Sequence, residues 1–353
     1  MLITVLATIF VFGLMVLIHE AGHFFVAKKS GIKVLEFAFG IGPKLFGVQR
    51  GETVYSIRIL PLGGFVRFLS EEELKEESEE QKQFLWPRTF ESKKYWQKAS
   101  VIAAGPIMNF VLGAVLFIIV YAWYGVPAVA TENIVGTVME GQPAAAAGLG
   151  VGDKILAIDG VETPDWSSLV NIIHANPDKK LEIKIQKADS PVIVTSVITP
   201  VLDQQSGQGL IGIVPQVINQ KVSVLKATQY GLTQTADFTK MIVMYLVQMV
   251  TGKVPVDLGG PVAVAQVIGE GARQGIADLL SLTGILSIQF GILNLLPIPA
   301  LDGGQLAVLS YEKIRRRSIS VEKKGLIQLT GFALLMALMI AVTYKDIVKI
   351  IAR

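Results

Sequence analysis

The feature that most constrains this sequence is a His-Glu-x-x-His motif at residues 19–23, set inside an apolar run. Residues 2–18 carry no charged side chain. A helix over residues 2–27 would be roughly 39 Å long, enough to cross a hydrocarbon core of roughly 30 Å with some tilt. Because a charged group near mid-bilayer costs at least about 2.5–3.5 kcal/mol, Glu20 in such a helix indicates function. We therefore predict a first membrane span over residues 1–27.

The spacing of the motif predicts a metal site. His19 and His23 stand at i and i+4, so both imidazoles share one helix face and can reach one Zn²⁺. Glu20 is not needed as a ligand and can serve as a general base toward the attacking water. The structural alternative is a buried polar pair that seals a contact between helices. The position of the motif inside an apolar span favours the metal site.

Composition indicates an integral membrane protein. Of the 353 residues, 51% are hydrophobic and only 17% are charged, which is too apolar for an ordinary soluble enzyme. The chain contains no cysteine, so a zinc site must use His, Asp or Glu. Its formal charge is +3, and it lacks a long basic tract with interleaved aromatic residues. The lipid bilayer is therefore an expected partner, and nucleic acid is not.

After the first span, the pattern of residues 34–68 changes to short β-prone runs separated by glycine and proline, which predicts hairpins. Hairpin edges expose unpaired backbone groups and could add a strand of substrate beside the metal site. A plain hairpin that covers the helix ends explains the pattern equally well. Residues 71–83 are dense in glutamate and predict a solvated loop or helix. Residues 28–98 thus form a cytoplasmic β region with an acidic loop.

A second uncharged span is predicted over residues 99–125. Gly105, Pro106 and Asn109 interrupt its apolar surface. Small and kink-forming residues allow another helix to approach closely, and an Asn amide can donate a hydrogen bond across that contact. Packing explains these three residues about as well as catalysis does.

Residues 126–218 are soluble in character and combine short β-prone runs with short helices. The succession Ala147-Gly148-Leu149, Gly152-Asp153-Lys154-Ile155 and Asp159-Gly160 resembles a PDZ domain of the bacterial type. PDZ domains accept an extended peptide or a C-terminus beside an edge strand. His174 lies in this segment, far in sequence from the motif, and we treat it as an ordinary residue of the domain.

The remaining segments follow from apolar length and charge. Residues 219–275 are too polar to span and predict amphipathic, interfacial helices. Third and fourth spans are predicted over residues 276–304 and 326–345, joined by a basic loop at 305–325. Because lysine and arginine concentrate on the cytoplasmic side, this loop lies inside and the N-terminus lies outside.

Asp302 follows the apolar part of the third span directly and reaches the cytoplasmic side, near the predicted depth of His19 and His23. A catalytic zinc wants three protein ligands plus water, and Asp302 is the best-placed third ligand. Pro297 and Pro299 would break the helix and turn the carboxylate back toward the site. Without the histidines, an Asp after an apolar helix would simply start a loop.

Three features together resemble the site-2 protease family, in its bacterial regulator-of-sigma-factor branch with one PDZ domain. They are the His-Glu-x-x-His motif, the PDZ-like segment, and Asn294-Leu-Leu-Pro297-Ile-Pro299-Ala-Leu-Asp302-Gly303-Gly304 at the end of the third span. The resemblance covers essentially the whole chain. It implies zinc ligands at His19, His23 and Asp302, a catalytic base at Glu20, and substrate-binding residues at Asn294, Pro297 and Pro299. It also implies that the β region re-enters the membrane.

We therefore predict an α-helical membrane protein with four transmembrane helices, a membrane-associated β-hairpin region and an inserted extracytoplasmic PDZ domain. The resemblance implies an intramembrane zinc metalloendopeptidase of the bacterial cytoplasmic membrane. Its expected substrates are transmembrane segments of single-pass anti-sigma factors or signal-peptide remnants. Two alternatives stay open: a catalytically silent PDZ scaffold, and a metal transporter, which would need a polar path through several spans.

Overall fold

The computed structural model describes residues 1–75, 77–188, 190–204, 206–255 and 259–351. The chain forms two compact units, one of Met1–Tyr121 with Val224–Arg353 and the other of Ala122–Ser223. In chain order the helices are α1 Leu2–Lys29, α2 Glu79–Leu85, α3 Tyr95–Tyr124, α4 Pro143–Ala146, α5 Trp166–His174, α6 Val224–Val250, α7 Pro261–Gln274, α8 Ile276–Leu295, α9 Asp302–Arg315 and α10 Val321–Ile351. The strands are β1 Val34–Arg50, β2 Thr53–Phe68, β3 Val126–Val129, β4 Val135–Val138, β5 Lys154–Ile158, β6 Val161–Glu162, β7 Leu181–Gln186, β8 Ile193–Ile198, β9 Val201–Leu202, β10 Gly209–Leu210, β11 Ile213–Pro215 and β12 Val217–Gln220.

Four helices in the described part of the chain are long and apolar enough to cross a membrane, namely α1, α3, α8 and α10. Their sequences hold few charged residues over their apolar windows, as a hydrocarbon environment requires. Large apolar side chains such as Leu6, Leu329 and Phe332 point outward and are more than half exposed. Such a surface suits contact with lipid tails. The fold is that of a multi-pass helical membrane protein with a β-rich region.

The predicted third span over residues 276–304 extends past the end of the helix that the structure shows. Helix α8 ends at Leu295, and Leu296 is extended, with φ −65° and ψ 143°. The cause is Pro297, which disfavours a helical conformation in the residue before it. Asp302 then begins α9, so the predicted loop at residues 305–325 instead contains a helix that runs to Arg315.

Other boundaries also differ from the sequence prediction. The first, second and fourth spans are longer than residues 1–27, 99–125 and 326–345, because α1 reaches Lys29, α3 begins at Tyr95, and α10 covers Val321–Ile351. The acidic loop contains α2, which begins with a capping box at Ser78; residue 76 of that loop lies outside the described residues. Residues 219–275 hold α6 and α7, with residues 256–258 likewise outside the description.

The helices of the first unit approach closely because small residues stand at their crossings. A Cβ added to Gly22 of α1 would lie 2.7 Å from the carbonyl carbon of Ala104 in α3. Between α3 and α8, a Cβ on Gly113 would lie 2.7 Å from Ile288 Cγ1. Small residues let helix backbones pack closely in membranes. The buried core between α1, α3, α7 and α8 consists of Ala7, Val11, Met15, Leu112, Leu116, Ile268 and Leu279.

The two long strands of the β region fold on themselves. Residues 36–39 lie beside residues 54–57 on one side and beside residues 64–67 on the other. Glu36 is buried and holds this arrangement, since it accepts hydrogen bonds from Ser56 Oγ at 2.6 Å and Arg58 Nη2 at 2.8 Å. The segment 64–67 makes no second strand pair among the described residues, so it forms an edge of the sheet.

The second unit has its own core beneath a sheet in the order β6-β5-β7-β8. Asp153, from the Gly-Asp signature, is nearly fully buried and accepts hydrogen bonds from Lys187 Nζ and Gly150 N, both at 2.8 Å. Burial raises the pKa of the Asp153 carboxyl, but these hydrogen bonds outweigh burial and hold the pKa below its usual value. The signature thus ties a loop to the start of a strand.

Candidate metal centre

Helix α1 presents its two histidines on one face, as the i and i+4 spacing requires. His19 Nε2 and His23 Nε2 are 3.2 Å apart, and the two rings meet edge to face. Both side chains are shielded from solvent, with exposures of 8% and 12%. The rings of Phe290 from α8 and His19 pack in a T-shaped arrangement, with ring centroids 5.5 Å apart.

Asp302, in the first turn of α9, lies beside the two histidines. Its Oδ2 lies 3.0 Å from His19 Nε2 and 3.5 Å from His23 Nε2. The loop before it turns back on the helix: Ala300 has φ +76°, and a Cβ on Gly304 would lie 2.8 Å from the carbonyl carbon of Ile298. Only glycine fits where the loop backbone crosses the first turn of α9 this closely. The two glycines after Asp302 therefore let the loop fold over that turn.

Helix α3 completes the surroundings of the histidines. His23 Nδ1 donates a hydrogen bond to the carbonyl oxygen of Val101, at 2.8 Å. This bond places the proton on Nδ1 and leaves the Nε2 lone pair facing Asp302. Gly105 lies directly over both rings, since a Cβ there would be 2.6 Å from His23 Cε1 and 2.7 Å from His19 Nε2.

These three residues fit a zinc ion. Their ligand atoms lie within 4.8 Å of one another, and nitrogen with carboxylate oxygen is a donor set that zinc accepts. Asp302 Oδ2 is buried yet has no hydrogen-bond partner of good geometry among the described residues. With the His23 proton on Nδ1, lone pairs of His23 Nε2 and Asp302 Oδ2 face each other, and this is unfavourable unless a cation lies between them.

Glu20 lies beside the three candidate ligands and opposite the sheet edge formed by residues 64–67. A Cβ on Gly64 would lie 3.1 Å from Glu20 Cγ and 3.2 Å from Val16 Cγ1, so the strand at residues 64–67 passes directly over α1 at the motif. This brings a free strand edge next to the only carboxylate in the motif. Sequence analysis did not single out Gly64; its pairing with Gly63 between β-prone residues was the available signal.

The remaining predicted residues lie at the end of α8 and on the segment that joins it to α9. Asn294 is 7% exposed, and its Nδ2 donates to the carbonyl oxygen of Phe290 one turn earlier, at 3.0 Å. Pro297 is exposed, whereas Pro299 packs against Gly331 of α10. The structure therefore brings His19, His23 and Asp302 together and leaves Asn294, Pro297 and Pro299 outside that cluster.

Sequence comparison gives a consistent result over the whole chain. The family described as Peptidase family M50 matches residues 7–338. A relative from Clostridium acetobutylicum is 38% identical over 345 residues, covering 98% of this chain and 97% of that protein. Zinc metalloprotease RasP of Bacillus licheniformis is 34% identical over 420 residues, covering 98% and 99%. Regulator of sigma-W protease RasP of Bacillus subtilis is 33% identical over 420 residues, with the same coverage.

A solved structure also matches part of the chain. The PDZ domain of the SdrC-like protein from Listeria monocytogenes is 24% identical, covers 25% of this chain and 90% of that one, and has a TM-score of 0.22. A score this low establishes no common fold.

Proposed function

The chain belongs to peptidase family M50 and is a zinc metalloprotease, and we propose that it cleaves peptide bonds within membrane-spanning segments of other membrane proteins. The observation that carries this proposal is the cluster that His19 and His23, on a helix apolar enough to cross a membrane, form with Asp302 in the first turn of α9. Ligand atoms within 4.8 Å of one another, beside a Glu that is free of the cluster, suit metal-assisted hydrolysis.

Each residue has a role that follows from its surroundings. His19, His23 and Asp302 would hold the zinc, which supplies a Lewis acid that polarises the scissile carbonyl and activates water. Glu20 takes a proton from the attacking water and delivers it to the leaving amine. A substrate helix hides its carbonyls in its own hydrogen bonds, so it must unwind locally before attack. The free strand edge at residues 64–67 offers replacement backbone partners, and Asn294 is suited to hold the opened strand.

The substrate class is proposed from one relative's name and from the fold. The Bacillus subtilis relative is named a regulator of sigma-W protease. We extend this to single-pass anti-sigma factors and signal-peptide remnants as substrates of this chain in a bacterial membrane. The unit at Ala122–Ser223, as a PDZ domain outside the cytoplasm, would bind a substrate's C-terminus or exclude bulky ectodomains.

The test is Glu20→Gln in the full-length chain, assayed for cleavage of a model transmembrane substrate and for bound zinc. The amide keeps the size of the side chain but cannot accept the proton, so we expect a loss of cleavage of about 10²–10⁴-fold with zinc retained. Glu79→Gln, on the exposed face of α2, is the matched control and should cleave normally. Normal cleavage by Glu20→Gln would refute the assignment. No cleavage by the wild-type chain, with a cellular phenotype that Glu20→Gln leaves unchanged, would favour a scaffold, and a change in metal flux would favour a transporter.

A further inference from the structure

Two uncharged polar side chains are buried behind His19, in helices that are otherwise apolar there. Asn109 of α3 and Ser287 of α8 are both 0% exposed. The Asn109 side-chain amide lies 2.9 Å from His19 Nδ1. Ser287 Oγ lies 2.9 Å from the backbone oxygen of Asn109 and 3.4 Å from its side-chain oxygen. Buried polar groups persist where their hydrogen bonds are satisfied, so this chain of contacts must be internally consistent.

The hydrogen-bond inventory determines which end of the Asn109 amide faces His19. A serine hydroxyl carries one proton, and Ser287 donates it to the Asn109 backbone oxygen. With that proton used, the hydroxyl can only accept from the Asn109 side chain, and this requires the amide to turn its NH₂ toward Ser287, the reverse of the orientation in which Oδ1 lies 3.4 Å from Ser287 Oγ. The two ends of an amide have nearly the same size, and the network decides between them. Turned in this way, the amide presents its oxygen to His19 Nδ1 at the position that Nδ2 occupies in the structure, 2.9 Å away.

We propose that Asn109 is a positioning residue that accepts the Nδ1–H of His19, with Ser287 fixing the orientation of the amide. The proton on Nδ1 leaves the Nε2 lone pair of His19 directed at Asp302, 3.0 Å away. The carbonyl oxygen of Val101 accepts the Nδ1–H of His23 in the same way. Helix α3 therefore supplies an acceptor to both imidazoles, which is the arrangement that orients metal-binding histidines. The inference rests on the metal site of the proposed function.

The experiment measures zinc affinity of the full-length chain in detergent, by competition with a chromophoric chelator. Asn109→Leu removes the acceptor, and we expect zinc binding to weaken by about 10–100-fold. Asn109→Asp presents an oxygen whichever way it turns, so it should bind zinc at least as well as wild type. Thr283→Val is the control, because Thr283 is another fully buried polar side chain of α8 but donates its hydrogen bond to the backbone carbonyl of Leu279 in its own helix. Its zinc affinity should be unchanged.

A double-mutant cycle distinguishes orientation from packing. Ser287→Ala should weaken zinc binding when residue 109 is Asn, because nothing then fixes which end of the amide faces His19. The same change should have no effect in the Asn109→Asp background, since a carboxylate needs no orientation. This comparison decides the matter even if Asn109→Leu fails to fold. Equal effects of Ser287→Ala in both backgrounds, or Asn109→Asp binding as weakly as Asn109→Leu, would overturn the proposal.

Failure of the proposed function gives a different result. If the wild-type chain binds no zinc, the metal site itself is wrong. If wild type binds zinc but the variants do not show the changes given above, only the role of Asn109 and Ser287 is wrong.

Discussion

At the scale of single residues, the candidate centre depends on the lack of a side chain at Gly105 as much as on the ligands themselves. Gly105 has no side chain, and this absence leaves room for the two imidazoles beneath α3. An added methyl group would overlap the Nε2 atoms that face Asp302. In sequence, Gly105 could be explained equally well by helix packing. In the structure, Gly105 allows α3 to pack closely against the candidate metal ligands.

Gly105→Ala should therefore impair zinc binding. Overpacking typically costs about 1–3 kcal/mol, and here the strain falls on the ligand rings, so we expect zinc affinity to fall about tenfold or more. Chelator competition on the purified chain measures the change. Gly325→Ala is the control, since a Cβ there meets nothing within 4 Å, and its zinc affinity should match wild type. Unaltered zinc binding in Gly105→Ala would contradict this account.

At the scale of elements, α10 is attached to the rest of its unit through a few specific contacts. Most of its length is exposed. Asp346, by contrast, is 7% exposed and accepts hydrogen bonds from Gly260 N at 3.1 Å and Ala263 N at 2.9 Å. These amides belong to the start of α7, where Pro261 occupies the first helical position. A carboxylate from one helix thus caps the N-terminus of another, where negative charge is favoured.

Asp346→Ala removes both acceptors and leaves two backbone N–H groups without partners. Leaving a buried donor unpaired costs about 1–3 kcal/mol, so the start of α7 should open more readily. Hydrogen exchange at the amides of Gly260 and Ala263 should accelerate by about 10-fold or more, whereas exchange within α1 should not change. Asp237→Ala, at an exposed position of α6, provides the comparison and should leave exchange at α7 as it is. Unchanged protection at Ala263 would mean that Asp346 does not support α7.

At the scale of the whole molecule, charge distribution predicts how the chain sits in its membrane. The contacts of the candidate centre come from α1, α3, α8 and α9, all within the first unit. Lys28 and Lys29 end α1, and lysine and arginine return around the junction of α9 and α10, within residues 313–324. From the positive-inside rule we predict that both positions are cytoplasmic, which would place the N-terminus and residues 126–218 outside.

The absence of cysteine makes this orientation directly measurable. Ser167→Cys and Ser318→Cys each introduce one thiol at an exposed position, the first in the second unit and the second between α9 and α10. In intact cells with the outer barrier removed, a membrane-impermeant maleimide should label only the first. After permeabilisation both should react, which serves as the control for reactivity. Labelling of Ser318→Cys before permeabilisation would reverse the predicted orientation.

The sequence alone determined the features that depend on local pattern. Apolar length is a property of consecutive residues, so the four long helices and the position of the motif within one of them follow from it. The i and i+4 spacing places His19 and His23 together on any helix. Proline at residue 297 was enough to predict a break, although the end of α8 at Leu295 and the new helix at Asp302 were not foreseen.

Only the tertiary structure decided which distant residues surround that motif. Val101 and Asn109 lie 78 and 90 residues from the histidines they contact, and Ser287 lies 178 residues from Asn109. Such contacts arise from close crossings of separate helices, which depend on side-chain packing along both surfaces. A serine within an apolar helix carries no pattern that identifies its partner. Local periodicity therefore predicts the ligands on α1, whereas the packing of α1 against α3 and α8 determines what orients them.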